Sequence, residues 1–234
     1  MTWTAPYRLD RFQIVAGATR MCAANPQFSG YRRQIVNRRG PKVKLARQLG
    51  IALTPKAAKV MENRPNPPGQ HGATPRRKIS GYKKQLIEKQ RLRAQYDVSE
   101  RQMENSFAQA TKLTGNTGVR LLQLLEMRLD AVVLRGGFVR TIYAARQTVT
   151  HGHIQVNGKK VDRPSYRLKP GEVVSLAPRS RDMIAFTGPL EVAHPPAYLE
   201  LDRDAKSIRV REMPEREQIP IQCETSLVIE YYSR

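Results

Sequence analysis

The chain has 234 residues, of which 41 are lysine or arginine and 20 are aspartate or glutamate, so its formal net charge is +21. An excess of this size is typical of proteins that bind a polyanion, and phosphate backbones are the most common one. The charge is also concentrated, because residues 31–100 hold 18 basic side chains against 4 acidic ones. The composition therefore favours a nucleic acid as partner. Because the sequence has no phosphate-binding loop motif and no nucleophile–base pair at a recognisable spacing, we expect no small-molecule substrate.

The cysteine content and the hydropathy of the sequence indicate the redox compartment and whether a membrane span is present. Cys22 and Cys223 are too far apart for a redox pair and too few for a disulfide framework, which indicates a reducing compartment. No run of about 18 apolar residues is present, so the sequence predicts no membrane span. Residues 1–37 lack a sustained hydrophobic period and contain a turn-rich break at 25–30, so we expect a poorly ordered extension there.

The N-terminal half is predicted to be helical and basic. Residues 42–50 are helix-compatible, whereas three prolines and two glycines within 63–72 require a fixed loop. A helix is predicted to begin after Ser80 as N-cap, with a loose apolar stripe and a solvent-facing set of lysines and arginines opposite. The stripe consists of Tyr82, Leu86, Leu92 and Tyr96. A second helix over 100–112 is predicted to end at the turn residues 115–118.

The segment from residue 121 onwards carries the clearest patterns. Apolar residues at helical spacing predict one helix from Leu121 through Val133, which Gly136 and Gly137 end. A shorter helix is predicted to begin after Thr141. Alternating apolar residues then predict a strand at 154–156, a hairpin turn at Asn157-Gly158, and a further strand over 172–176.

Several of these segments resemble one protein family. Residues 116–130, 144–147, 151–158 and 164–166 resemble the core of the small-subunit ribosomal protein S4 family. Residues 64–72 and 88–93 resemble its N-terminal region, and 214–217 and 229–234 resemble its tail. Because these motifs occur in the family's order from residue 38 to the end, the chain is identified as a member of that family, of the bacterial or plastid type.

The resemblance implies an α+β fold. In it, a mostly helical N-terminal domain is completed by the C-terminal tail, and a small helix-helix-hairpin RNA-binding module is inserted between them. The corresponding boundaries are a poorly ordered extension at 1–37, a basic helical rRNA-binding domain at 38–126, the module at 127–190 and the returning tail at 191–234.

The resemblance also implies a function. Family members are structural constituents of the small ribosomal subunit, bind its rRNA at a multi-helix junction, nucleate assembly of the subunit body and contribute to translational accuracy with neighbouring proteins that include S5. We therefore expect a non-enzymatic protein, in the bacterial cytoplasm or alternatively the plastid stroma. Many members bind zinc through four cysteines, but two of the matching positions are Val43 and Ala46 here, so we expect no metal and no other cofactor.

Candidate RNA-binding residues follow from charge, position and the resemblance. RNA junctions are recognised largely through phosphates and 2′-hydroxyls, which suits cations on a rigid scaffold. The start of the helix after Thr141 also offers backbone N–H groups to a phosphate. The candidates are Arg38, Arg39, Lys42, Lys44, Arg64, Gln70, His71, Arg76, Arg77, Lys78, Lys83, Lys84, Lys89, Arg93, Asn116, Thr117, Arg128, Arg140, Thr141, Arg146, Gln147, His151, His153, Asn157, Lys159, Lys160, Ser165 and Tyr166.

Some candidates have a second interpretation. Arg146 would be a structural ion-pair residue if a carboxylate faced it, but none lies three or four residues away on its helix. His151 and His153 alternate like metal ligands, yet no cysteine or carboxylate nearby completes a site. The hairpin lysines Lys159 and Lys160 would, in the simplest alternative, be solvated only.

Two other functions share the module. The sequence Arg128-Leu129-Asp130 also opens the catalytic motif of pseudouridine synthases, which often carry a similar module. Here it lies in an apolar segment, and we expect no catalytic domain after residue 190, so Asp130 is interpreted as the structural partner of a nearby arginine. An RNA-modifying enzyme and a free RNA-binding regulator remain the alternatives.

Overall fold

The fold was derived from a computed structural model, which describes residues 40–74 and 79–233. The predicted extension at 1–37 lies outside the described residues. None of the described helices is long and apolar enough to cross a lipid bilayer.

Helices form most of the first half of the described chain. They are α1 Lys42–Leu49, α2 Pro55–Asn63, α3 Gly81–Gln95, α4 Glu100–Ala110, α5 Thr117–Glu126, α6 Leu129–Arg135 and α7 Ile142–Thr150. Side-chain caps begin most of them, because short polar side chains satisfy N–H groups that the first turn leaves free. Ser80 caps α3 as the sequence predicts, and Ser99 forms a reciprocal capping box with Gln102 at α4.

In the described residues, five antiparallel strands form one sheet. They are β1 Ile154–Val156, β2 Lys159–Lys160, β3 Val173–Leu176, β4 Leu199–Asp202 and β5 Ser207–Val210, in the order β2-β1-β3-β5-β4. The predicted hairpin at Asn157-Gly158 is present, and both residues have positive φ, 48° and 78°, as the tightest hairpin turns require. Helix α8 Ile184–Glu191 lies between β3 and β4, and α9 Thr225–Tyr232 ends the described chain.

The helix predicted over 121–133 is in fact two helices. Arg128 has an extended backbone between α5 and α6, where it forms an isolated bridge with Arg167. The N–H of Leu129 donates to the Tyr166 carbonyl at 2.8 Å, and the Leu168 N–H donates to the Met127 carbonyl at 2.8 Å. The break is therefore caused by pairing with a segment about forty residues later, which periodicity within 121–133 does not report.

The sheet extends beyond residue 190, where the sequence places the end of the module. Strand β5 pairs with β3 through Val174 and Ile208, and β4 continues the sheet on the other side of β5. Tyr198, Ile208 and Val210 are buried in the same apolar cluster as β1 and β3. The later part of the tail, from Pro214 through α9, packs against the helical part.

Two apolar cores organise the described chain. The first joins α6, α7 and the sheet, with Phe138 and Ile154 fully buried. The second joins the end of α3 with α4, α5 and the tail, through Leu92, Leu121 and Val228. The fold is thus α+β, and the tail completes the helical part as the family resemblance implies.

A buried ion pair stands where the two cores meet. Glu126, the last residue of α5, has a fully buried side chain whose carboxylate is 3.0 Å from the Arg135 guanidinium of α6. The Tyr198 hydroxyl lies 3.4 Å from the same carboxylate, and burial followed by the Glu126 charge raises the pKa of Tyr198 far above its ordinary value. The carboxylate therefore ties the helical part to the start of β4.

We predict that Glu126→Gln lowers the free energy of unfolding by about 3–5 kcal/mol, because it leaves the largely buried Arg135 without a counter-charge. Urea titration of both proteins measures the difference. Glu200→Gln, on the exposed side of β4, is the matched control and should change little. Equal midpoints for Glu126→Gln and the parent would contradict the prediction.

Candidate RNA-binding surface

Exposed lysines line the first three helices. Lys42 and Lys44 on α1 and Lys83 and Lys84 on α3 are all exposed, as the sequence predicts for an RNA-contacting surface. The Lys42 ammonium also lies 3.6 Å from the centre of the Tyr143 ring on α7, a cation–π contact that joins α1 to the module. These four lysines form what we call the helical basic surface.

Helix α2 adds two exposed lysines that the sequence reasoning missed. Lys56 and Lys59 lie on α2, a helix that was not predicted. Its signal is nonetheless present, since Thr54 is an N-cap and Pro55 occupies the first helical position.

The proline-rich loop is held in place by Arg47. Its guanidinium donates to the backbone oxygens of Arg64 at 3.2 Å and Asn66 at 2.6 Å. The candidate side chains Arg64, Gln70 and His71 are exposed on this loop. A loop without regular structure is thereby fixed, as predicted.

A second surface surrounds the start and end of α7. Thr141 caps the helix, its hydroxyl accepting from the Ala144 N–H at 3.2 Å, and Arg140 and Gln147 are exposed nearby. At the other end His151 is exposed, while His153 is half-buried with its Nδ1 2.7 Å from the Ser180 hydroxyl.

The β1–β2 hairpin extends this surface. Asn157, Lys159 and Lys160 are exposed, and the Asn157 side-chain oxygen accepts from the Val173 N–H at 2.9 Å, so this asparagine orders the turn. The Lys160 stem lies so close to Gly152 that a Cβ there would approach its Cε to 2.3 Å. Arg140, Gln147, His151, Lys159 and Lys160 are called the module surface below.

Four further candidates lie on the loop before β3 and at the start of α5. Ser165 and Tyr166 are exposed on the loop before β3, and the Tyr166 hydroxyl donates to Glu172 at 3.4 Å. Asn116 caps α5 by accepting from the Gly118 N–H at 2.9 Å, with Thr117 half-buried beside it. Arg38, Arg39, Arg76, Arg77 and Lys78 lie outside the described residues.

Lys89 and Arg93 are not on the surface that the sequence predicts for them. Lys89 is only 4 % exposed, bonds Glu100 at 2.7 Å and lies 4.2 Å from the Tyr231 ring centre of α9. Arg93 lies 3.4 Å from the same carboxylate. Helix α9 packs on this face of α3, and the predicted stripe residue Tyr82 is instead 43 % exposed.

Arg128 likewise lies inside the protein. It is 5 % exposed and donates two hydrogen bonds, at 3.0 and 2.8 Å, to the carboxylate of Asp130, which is fully buried. Asp130 is thus the partner of a nearby arginine, as expected. The Asp130 carboxylate is therefore engaged in an ion pair inside the protein.

The sequence argument against an ion pair for Arg146 is wrong. Its guanidinium lies 3.5 Å from carboxylate oxygens of both Asp97 and Asp130, and it donates to the Asp97 backbone oxygen. The absence of a carboxylate at helical spacing was misleading, because both partners come from other elements. Burial, and to a smaller extent the negative charge of Asp97, raises the pKa of the neighbouring Tyr143 to about 12.

Within residues 40–74 and 79–233, no group of three or more histidine, cysteine, aspartate or glutamate side chains is arranged to hold a metal ion. The two histidine rings, His151 and His153, are 6.1 Å apart. Burial, followed by the charge of Glu88, raises the pKa of the Cys223 thiol to about 12, which disfavours the thiolate that metals require.

We predict that Arg146→Ala lowers the free energy of unfolding by about 1–3 kcal/mol, because Asp97 loses this ion pair and buried Asp130 keeps only one cationic partner, Arg128. Arg140→Ala, at an exposed position before α7, should leave the unfolding midpoint unchanged. If Arg146→Ala unfolds like the parent protein but binds RNA less tightly, the interpretation from sequence is right and this one is wrong.

The family models and the relatives that match this chain all indicate the same protein family. The model of the ribosomal protein S4/S9 N-terminal domain matches residues 37–126, and the S4 domain model matches residues 127–174. The chain is 52% identical over 205 residues to small ribosomal subunit protein uS4 of Streptomyces avermitilis, an alignment covering 86% of this chain and 100% of the relative. The Thermobifida fusca protein of the same name is 46% identical, with 83% and 98% covered.

Proposed function

Because this chain belongs to the ribosomal protein S4 family, we propose that it is a structural, non-enzymatic constituent of the small ribosomal subunit that binds the subunit's rRNA. The observation that carries this conclusion is the match of the two family models over residues 37–174, together with relatives whose whole length the chain covers. Nothing in the described residues or the relatives favours the RNA-modifying enzyme or the free regulator.

We propose that RNA is bound through the helical basic surface and the module surface. Both present exposed cations and polar groups on ordered elements, which is what recognition of phosphates and 2′-hydroxyls at an RNA junction requires. Arg64, Gln70 and His71 extend the first surface, and Arg38, Arg39, Arg76, Arg77 and Lys78 are proposed as contacts on charge and resemblance alone. Lys89, Arg93, Arg128 and Arg146 are proposed to support the fold instead.

A division into domains accompanies this proposal. Residues 38–126 with the later tail act as the basic helical domain, and the module from residue 127 carries the second RNA surface. The first part of the tail, 199–210, contributes strands to the module's sheet, which supports moving the module's end beyond residue 190.

The finer roles are proposed from the family resemblance. We propose that the rRNA target is a multi-helix junction, that binding nucleates assembly of the subunit body, and that contact with S5 affects translational accuracy. Since the relatives are bacterial, the bacterial cytoplasm is the proposed location rather than a plastid. Cross-linking of intact subunits should recover S5 attached to this chain.

Sedimentation tests the main proposal. A cell lysate is fractionated on a sucrose gradient at magnesium concentrations that separate the subunits, and the chain is detected by immunoblot. We expect it in the small-subunit fraction and depleted from the top of the gradient. Recovery only as free protein would overturn the assignment.

We predict that Lys83→Ala with Lys84→Ala flattens the dependence of log affinity on log salt by about one to two units, because each lost phosphate contact removes roughly 0.7–0.9. Both side chains are exposed, so the fold should be unaffected. Filter binding of a small-subunit rRNA fragment at several salt concentrations measures the slope. Lys83→Arg with Lys84→Arg keeps the charge and should keep the slope; an unchanged slope in the alanine protein would contradict the prediction.

A further inference from the structure

A small polar cleft lies between α4 and the loop that precedes β3. Its volume is about 270 Å³, and polar side chains from both sides form its wall. The lining residues are Gln102, Asn105, Ser106, Gln109, Arg128, Ser165 and Arg167. The cleft is smaller than typical pockets for drug-sized ligands, which begin at about 300 Å³. It suits a ligand no larger than a single nucleotide.

Arg167 supplies an available positive charge at this cleft. Its guanidinium donates to the side-chain oxygen of Gln109, and no carboxylate lies within ion-pair distance of it in the described part of the chain. Burial and then the charge of Arg128 lower the pKa of Arg167. Arg128 itself is neutralised by Asp130, so Arg167 is the cation of the cleft that still lacks an anionic partner.

Neutral groups surround that charge. Asn105 and Gln109 are four residues apart on α4 and therefore lie on the same helix face. Both are exposed, and the amide nitrogen of Gln109 is left available when its oxygen accepts from Arg167. Ser165 adds a hydroxyl from the opposite wall. Gln102 is instead engaged with the Ser99 backbone in the capping box.

We infer that this cleft binds one unpaired nucleotide of the small-subunit rRNA, with its phosphate on Arg167 and the polar edge of its base on Asn105 and Gln109. The inference rests on the proposed function and deepens it, because Asn105, Gln109 and Arg167 were not among the candidates from sequence. The Asn105 amide presents a donor and an acceptor together, the combination that reads base edges, and Gln109 adds a donor, whereas a simple anion site needs only the cation.

The position of the cleft strengthens the inference. Its α4 wall belongs to the helical part, while its other wall is the segment that pairs with Arg128 and breaks the helix between α5 and α6. A nucleotide in the cleft would contact both RNA-binding parts at once. Unpaired bases are the elements of RNA through which sequence is usually read, so the cleft would add base specificity to two surfaces that recognise shape and charge.

Binding of a small-subunit rRNA fragment to the full chain tests the inference. We expect Asn105→Ala to weaken binding about 3- to 10-fold without changing the salt slope, because it removes an uncharged hydrogen bond. Arg167→Ala should weaken binding and also lower the salt slope by about one, while Arg167→Lys should restore the slope. Arg101→Ala is the control, because it removes an exposed charge from α4 outside the cleft. It should leave the nucleotide in the cleft protected from chemical reagents.

Chemical probing of the complex gives a second measurement. We expect one unpaired nucleotide to be protected from a base-edge reagent by the parent protein and exposed with Asn105→Ala. If inorganic phosphate alone raises the melting temperature through Arg167 while Asn105→Ala leaves RNA binding and protection intact, the cleft is an anion site and the inference is wrong.

The outcomes also separate this inference from the proposed function. Parent-like RNA binding by both Asn105→Ala and Arg167→Ala, with the Lys83 and Lys84 double variant still weakened, would reject the cleft and leave rRNA binding in place. Absence of specific rRNA binding by the parent protein would reject both. Urea unfolding of each variant identifies any loss of affinity that comes from loss of structure.

Discussion

Two buried carboxylates, Glu126 and Asp130, hold the described structure together. They lie on either side of the break between α5 and α6, and both side chains are fully buried. Removing a carboxylate from water has a high energetic cost, which is offset only if cations and hydrogen-bond donors surround it. Glu126 meets this requirement with Arg135 and Tyr198, and Asp130 with Arg128 and Arg146.

Because these partners come from different parts of the fold, the two carboxylates connect those parts to one another. Tyr198 precedes β4, Arg146 lies on α7, and Arg146 also reaches Asp97 between α3 and α4. The helical basic surface and the module surface are therefore held in a defined relation by buried charges as well as by apolar packing. A protein that recognises the shape of folded RNA depends on such a relation, because its cations must match phosphates whose positions the RNA determines.

Local features could be predicted from sequence, and non-local ones could not. The caps Ser80 and Thr141 and the Asn157-Gly158 turn depend on neighbouring residues only, and they occur as predicted. Helix α2 was missed although its Thr54-Pro55 start is a recognisable local signal. The break at Arg128 and the pairing of β5 with β3 depend on contacts between distant segments, which periodicity does not report.

The same distinction explains why the internal partners of some candidates could not be predicted from the sequence. Charge and helical spacing predict RNA contacts for Lys89, Arg93 and Arg146, yet each has a carboxylate partner from elsewhere in the chain. Asn105 and Gln109 are neutral, so their charge does not indicate an RNA contact. Only their position opposite the loop that carries Arg167 indicates one.

Internal ion pairs use most of the acidic side chains in the most basic segment of the chain. Residues 31–100 contain four acidic side chains, Glu62, Glu88, Asp97 and Glu100. Three of them are used inside the fold: Glu88 pairs with Arg91, Asp97 with Arg146, and Glu100 with Lys89 and Arg93. Each ion pair cancels a positive charge along with a negative one, so the net charge of the segment does not change. The exposed lysines of α1, α2 and α3 take no part in these pairs. The uncompensated positive charge therefore lies on exposed lysines at the surface where an RNA backbone is proposed to bind, while the paired carboxylates and their cations hold the helices together.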